Sequence, residues 1–373
     1  MRVLHLCSYY IGSQVHRNLV MALANLETCS QHVWVPIRVE NHRGVNDIDE
    51  PNVRVVYSKC LGILTRCFFS WKLLVLFFSV RNAAKGIGLE KADVIHAHTL
   101  YSDGFLAFIL FKLYSIPYVV SVRSTDVNIF ERILPHWKWL TRMVLANAKC
   151  VLFLSPAHQK KIGKSYGLAK KRSLLLGSAV DPYWVENLKL QRQILKPRKL
   201  NAIYVGDINR NKNIKRAIIG FFSLDYSGDR TFTVIGGNYI DYQSVFGDLP
   251  AALKSKVIFV PRVLEKDVLC EYFATAAVLV MPSHFETFGL VYIEAISQCV
   301  PVIYSKGQGI DGLYPEGCVG FSCDPMSTSS VACAISKTLQ AFPEGLIFSD
   351  KENPAAEFCW DNRAKFLLKS AYS

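Results

Sequence analysis

No two of the eleven cysteines form a C-x-x-C pair, and their number is odd. That excludes a zinc ribbon or a dithiol redox motif and leaves the reduced, buried thiols of a cytoplasmic protein as the expectation. Long apolar runs are missing too. The one candidate, LGILTRCFFSWKLLVLFFSV from Leu61 to Val80, is broken by Arg66 and Lys72, and each such charge costs about 2.5–3.5 kcal/mol at mid-bilayer. A helix packed on one side is expected here, with contact to a membrane surface as the alternative. The opening MRVLHLCSYY has too short an apolar run for a signal-peptide core and reads as a first strand. No short-period repeat or low-complexity segment is present.

Acidic residues are scarce in one half only. Residues 1–190 carry 24 Lys and Arg against 12 Asp and Glu, which accounts for nearly all of the net charge of +13. From Glu131 to Arg172, ten basic residues accompany that single acid. A field of one sign points to an anionic partner: phospholipid headgroups, a pyrophosphate-linked lipid or nucleic acid. Nucleic acid ranks last, because no aromatic platform is interleaved with the basic residues and no binding motif is present.

With 373 residues, 51% apolar and 20% charged, the chain has the composition and length of two globular domains of similar size. Short apolar runs alternate with helix-like stretches at Val3–Cys7, Val94–His96, Tyr118–Val122 and Val151–Leu154. The rhythm restarts at Ala202–Val205 and continues through Thr231–Ile235, Val257–Val260, Val278–Met281 and Val300–Tyr304. This predicts two parallel sheets covered by helices, of the doubly wound α/β type, joined between Ala179 and Pro197. Ligands of such sheets bind beyond the C-terminal strand ends. Gly12, His98, Arg123, Asp126, Gly206, Gly236 and the segment around Glu286 fall there.

The densest signal is MPSHFETFGLVYIEAISQCVPVI, residues 281–303. A strand ends near Pro282, a polar loop carries Glu286, and a helix starts near Gly289. The unpaired amides of a helix start suit a diphosphate, and glycine permits its close approach. With Glu286 on the loop and Glu294 in the second helical turn, both carboxylates reach one ligand. They suit hydroxyls on either side of a phosphate, not the phosphate itself.

This run closely resembles the E-x7-E segment of family 4 retaining glycosyltransferases, through Pro282, Ser283, Glu286, Phe288, Gly289, Leu290, Glu294, Ala295, Pro301, Val302 and Ile303 in register. The resemblance implies a GT-B fold, with two Rossmann-like domains facing each other across a cleft. It assigns donor-sugar hydroxyls to Glu286, the nucleotide ribose to Glu294, and sugar and diphosphate to the amides of Phe288, Gly289, Leu290 and Val291. Residues 1–180 would bind the acceptor, 181–355 the nucleotide-sugar donor, and 356–373 would be a helix crossing back to the N-terminal domain, with Trp360 matching the family's last-helix tryptophan.

A second match, YVGDINRNKNI, places Gly206 in the donor loop and Lys212 on the lysine that neutralises the pyrophosphate. Asp207 stands where the family has arginine, and Arg210 supplies charge from the same loop. Gly236-Gly237 resembles the turn beside the nucleotide base. In the N-terminal half, Gly12 matches a glycine turn facing the donor phosphates, and DVIHAH resembles the family's histidine strand, with His98 toward the cleft and His96 buried. SVRSTDVN puts Arg123 at the family's histidine position and Asp126 on its aspartate. Arg123 either orients the sugar or pairs with Asp126 to hold the loop; its high pKa rules out a base.

The implied activity is metal-independent, retaining transfer of a sugar to a lipid-linked or saccharide acceptor in bacterial surface-polysaccharide synthesis. It would proceed without a cofactor, at the cytoplasmic membrane face, with the basic half touching anionic lipid. Three rivals remain: a metal-dependent transferase using Asp47-Ile48-Asp49, just before a strand at Val53–Val56; a nucleotide-sugar epimerase; and a non-catalytic nucleotide-sugar-binding scaffold.

Overall fold

The computed structural model describes residues 1–26, 29–189, 200–348 and 353–373; residues 190–197 of the expected join lie outside them. The chain divides into two compact units: residues 1–154, 158–179 and 360–373, and residues 155–157 and 180–359.

The first unit holds seven parallel strands: β1 (Arg2–Leu6), β2 (Ser30–Ile37), β3 (Val53–Lys59), β4 (Val94–Ala97), β5 (Tyr118–Val122), β6 (Cys150–Phe153) and β7 (Ser173–Leu175). Their order is β3-β2-β1-β4-β5-β6-β7. Every residue of β4, β5 and β6 is buried, because crossover helices cover both faces of a parallel sheet. β2 carries Gln31, His32 and Pro36 and β7 has three residues, so neither shows the apolar run that marks the others.

The second unit has six parallel strands: β8 (Leu200–Val205), β9 (Arg230–Ile235), β10 (Val257–Val260), β11 (Val278–Val280), β12 (Val302–Ser305) and β13 (Gly320–Cys323), in the order β10-β9-β8-β11-β12-β13. Both sheets are doubly wound. The strand order reverses at β1 in one unit and β8 in the other, so loops leaving adjacent strands diverge and open a crevice at the C-terminal edge. In the second unit those loops follow β8 and β11, and they carry Lys212 and Glu286.

The helix Trp360–Leu367 returns to the first unit as expected. Trp360, Ala364, Leu367 and Tyr372 pack with Val3, Leu19, Leu23 and Leu152, against the helix Gln14–Ala24. The Tyr372 hydroxyl lies 2.6 Å from His96 Nδ1. The Leu61–Val80 stretch forms a short turn at Leu64–Cys67 and a helix at Phe69–Asn82, whose Leu73, Leu76 and Val80 face the core. Among the described residues, no helix is long and apolar enough to cross a membrane.

Tyr372→Phe strips the hydroxyl from a fully buried imidazole, a loss of about 1–3 kcal/mol. The apparent Tm is expected to fall by several degrees in a thermal melt; an unchanged Tm would show that the C-terminal segment is not anchored through His96.

Candidate active site

Two asparagines sew the loop after β8 to the loop after β11. Asn211 donates from Nδ2 to the Phe285 carbonyl (2.9 Å), accepts at Oδ1 from the Phe285 N–H (2.9 Å), and takes the His284 N–H on its own carbonyl (2.8 Å). Asn213 donates to the carbonyls of Pro282 (3.0 Å) and Pro325 (2.8 Å). It does so from a left-handed backbone (φ 56°), which asparagine tolerates better than most residues. Lys212, held between them, meets Glu286: Nζ to Oε2 is 2.7 Å, with side chains only 23% and 13% exposed.

Glu286 is itself clamped. Its N–H donates to the Gln308 side-chain carbonyl (3.2 Å), its carbonyl accepts from the Gly309 N–H (3.2 Å), and its second carboxylate oxygen accepts from the Thr287 N–H (3.1 Å). Three residues on, Gly289 adopts φ 82°, and a Cβ there would lie 2.4 Å from the Tyr292 ring. Only glycine fits. Gly289 opens the helix Leu290–Ser297, which no side chain caps. The leading amides of Phe288, Gly289, Leu290 and Val291 stand at a helix start without a side-chain cap, an arrangement that suits an anion. The Phe288 side chain is core, tilted against Phe358 at 5.4 Å between ring centroids, so only its backbone is offered.

The glycines after β8 and β9 meet more closely than any other residues would allow. A Cβ on Gly236 (φ 131°) would lie 2.1 Å from the Gly206 carbonyl oxygen. Beside them a pocket of about 300 Å³ is lined by Gly206, Asp207, Gly236, Arg262, Lys266 and Glu294. Burial, with Asp181 adding repulsion and Lys266 opposing it, raises the Glu294 carboxyl from 4.5 to about 7. Asp207 is exposed, and Arg262 Nη1 lies 3.7 Å from it. Arginine is thus present beside the position where the motif lacks it, but it comes from the segment after β10. Arg210 begins the turn Arg210–Lys212 and is exposed.

Arg262, Lys266, Asp181 and Gln308 were not anticipated. PRVLEK after β10 and KGQG after β12 are the strand-end segments that carry three of them.

In the first unit the expected residues converge on a buried histidine cluster. His5 on β1 and His96 on β4 are register partners, His98 follows β4, His16 lies in the first turn of Gln14–Ala24, and all four are at most 1% exposed. Burial lowers every one of these imidazoles, His5 to about 4, so they are neutral at pH 7. Arg123 donates from Nε to the His98 carbonyl (2.9 Å) and from Nη2 to His16 Nδ1 (3.2 Å).

Arginine can only donate, and this fixes one tautomer: His16 Nδ1 accepts, so the hydrogen of that neutral ring is on Nε2. His98 Nδ1 lies 3.2 Å from His16 Nδ1, and His98 Nε2 lies 3.0 Å from His5 Nδ1. Asp126 does not pair with the Arg123 guanidinium. Its carboxylate accepts the backbone N–H groups of Arg123 (2.9 Å), Leu100 (3.1 Å) and Tyr101 (3.3 Å), and burial raises it to about 6 all the same. His98 and Asp126 are thus enclosed where a cleft-lining place was expected, because backbone amides and neighbouring rings satisfy them. Gly12 ends the turn Tyr10–Gly12, and a Cβ there would meet the Tyr9 ring at 2.8 Å.

His5, His96 and His98 have ligand atoms within 4.8 Å of one another, as do Cys7, His16 and His98. Both nitrogens of His96 are engaged, by Tyr372 and by Ser121 (2.8 Å), and the guanidinium sits on His16. That donor set does not suit a cation.

Two family models match the chain: "Glycosyl transferases group 1" over residues 187–342 and "Glycosyltransferase Family 4" over residues 39–183. An uncharacterized glycosyltransferase of Methanocaldococcus jannaschii is 22% identical over 295 residues, 75% of each chain. The putative teichuronic acid biosynthesis glycosyltransferase TuaC of Bacillus subtilis is 28% identical over 240 residues, 60% of this chain and 55% of its own. Among solved structures, Anabaena HepE in complex with UDP matches with a TM-score of 0.70 at 14% identity, over 99% of both chains. At that identity the likeness establishes the GT-B fold.

Glu294 holds its proton more tightly in the folded state (about 7) than in the unfolded one (4.5). Stability is therefore expected to fall as pH rises across that window and to level off above it. Glu294→Gln removes the slope: its Tm is expected to change less than the wild-type Tm between about pH 5 and pH 8. Equal slopes would mean that the carboxyl titrates normally.

Proposed function

This chain belongs to the group 1, family 4 glycosyltransferases, a family of retaining enzymes, and on that premise we propose that its second unit holds a nucleotide-sugar donor at the Lys212–Glu286 pair. The observation that carries the reading is that pair, half-shielded beside an uncapped helix start. As the glycosidic bond breaks, charge develops on the leaving diphosphate. Lys212, Arg210 and the amides from Phe288 to Val291 meet that charge without a metal ion. Glu286 accepts hydrogen bonds from donor-sugar hydroxyls, and Glu294 does the same for the ribose diol once ionised. Gly206 and Gly236 bring backbone, unobstructed by side chains, to the nucleotide.

The acceptor hydroxyl attacks on the face the diphosphate leaves, and its proton passes to a diphosphate oxygen. No protein base is needed. In the first unit Gly12 would serve the donor phosphates, while His98 and Asp126 support the acceptor side from within. Arg123 acts as a positioning residue, since its guanidinium is committed to the histidines. The acceptor is a lipid-linked or saccharide intermediate of bacterial surface-polysaccharide synthesis, met at the cytoplasmic membrane face. TuaC, a relative named for such a polymer, supports that pathway, and the basic first half of the chain supports that location.

Lys212→Ala is expected to lower kcat/KM by about 10²–10³, the loss seen when one preorganised charge-stabilising donor is removed, with wild-type circular dichroism. Turnover should persist in excess chelator. Full activity of Lys212→Ala would place the diphosphate elsewhere, and loss of turnover in chelator would restore the metal-dependent reading. A panel of UDP-, GDP-, ADP- and dTDP-sugars, read by thermal shift, identifies the donor.

A further inference from the structure

The helix Phe69–Asn82 has two apolar faces and only one of them is covered. Leu73, Leu76 and Val80 are buried, whereas Trp71, Leu74 and Phe78, spaced i, i+3, i+7 along one side, are 48%, 50% and 57% exposed. The turn before it adds Ile63, Leu64 and Phe68, all exposed. These side chains form one strip. Leu64, Phe68, Trp71 and Leu74 line a groove of about 690 Å³ with Leu134 and His136. Trp71, Leu74 and Phe78 line a second, of about 630 Å³, beside Lys59. A strip of this kind is not the scattered apolar exposure of an ordinary surface.

Its charge is one-sided. From Lys59 to Leu89 the sequence has five basic residues and no acid. Lys72, the one cation in the middle of the helix, turns inward and donates to the Ser102 hydroxyl at 2.7 Å, leaving the strip's centre apolar. Arg66, Arg81 and Lys85 stay exposed around it. The helix Lys138–Asn147, which follows His136 in the chain, exposes Trp139, Arg142 and Met143 in the same mixture.

We propose that this strip is a docking surface for an anionic phospholipid bilayer, with Trp71, Leu74 and Phe78 entering the interface while Arg66, Arg81 and Lys85 meet headgroups. The helix lies on the membrane and does not cross it, since it is too short and its inner face belongs to the core. The charge selects this occupant. A second copy would bring like charges together, and a nucleic acid offers no apolar sink for Ile63, Leu64 and Leu74. The proposal rests on the transferase reading for its purpose, which is to hold the enzyme where a lipid-linked acceptor resides.

The test is co-sedimentation of the purified full-length protein with vesicles of phosphatidylglycerol and phosphatidylcholine, compared with phosphatidylcholine alone. Wild type is expected to bind the anionic vesicles. Trp71→Glu/Leu74→Glu and Arg66→Glu/Arg81→Glu, at positions already exposed, should each lose at least about tenfold in partition while keeping wild-type circular dichroism and nucleoside-diphosphate binding. Equal partition of the variants, or no binding of wild type to phosphatidylglycerol, would overturn the proposal. So would self-association of wild type abolished by Trp71→Glu/Leu74→Glu, which would assign the strip to a second copy. Vesicle binding without nucleoside-diphosphate binding would leave the surface standing and sink the transferase reading.

Discussion

Lys212 and Glu286 lie 74 residues apart in sequence and 2.7 Å apart in space, and the candidate site depends on that ion pair. A partly buried pair of this kind sets its Coulomb attraction against the cost of desolvating both charges, so it is not what holds the two loops together. The loops are held by the backbone and side-chain hydrogen bonds of Asn211 and Asn213, and the pair is their product. Its importance is electrostatic. Partial burial makes each charge costly without the other, so the site without its donor is self-neutralised. A diphosphate, with more negative charge than one carboxylate, is the kind of ligand that draws the lysine away. In the proposed reading the freed carboxylate turns to neutral hydroxyls beside the phosphate, and one exchange of partners serves both ends of the sugar–phosphate linkage.

The fold supplies this arrangement through its winding. Because strand order reverses at β8, the loops after β8 and β11 leave neighbouring strands toward opposite sides and frame a crevice. Glycine then determines how closely backbone approaches what lies there. Gly289 takes a conformation and a position beside Tyr292 that no side chain could share, and Gly236 lies against the Gly206 carbonyl. The Leu290–Ser297 helix, uncapped by any side chain, adds its amides at the same place. The first unit places a different chemistry at its own reversal point, four buried, neutral histidines of which His16 accepts from Arg123.

Much of this was legible in the sequence, for physical reasons. Parallel strands buried on both faces leave continuous apolar runs, so β4, β5, β6 and β11 announce themselves, whereas β2, broken by Gln31, His32 and Pro36, and three-residue β7 do not. Glu286, Gly289 and Glu294 stand at fixed spacing on one strand–loop–helix unit, so a linear pattern captures them. Arg262 and Gln308 come from the loops after β10 and β12. Only the three-dimensional packing brings them to Asp207 and Glu286, and no local pattern marks them. The direction of a side chain is also invisible to pattern: Arg123 and Asp126 sit three residues apart as a natural ion pair, yet the guanidinium turns to the histidines and the carboxylate to backbone amides.

The exchange of partners at Lys212 makes a claim that a merely structural ion pair would not. Calorimetric titration of Glu286→Gln and Lys212→Ala with the preferred nucleoside diphosphate, without its sugar, measures it directly. Removing the carboxylate charge frees the lysine, so Glu286→Gln is predicted to bind the diphosphate more tightly than wild type, while Lys212→Ala binds it at least about tenfold more weakly. Weakened binding in both variants alike would contradict the account, because the pair would then be a scaffold for the loops and not a reserve of charge for the ligand.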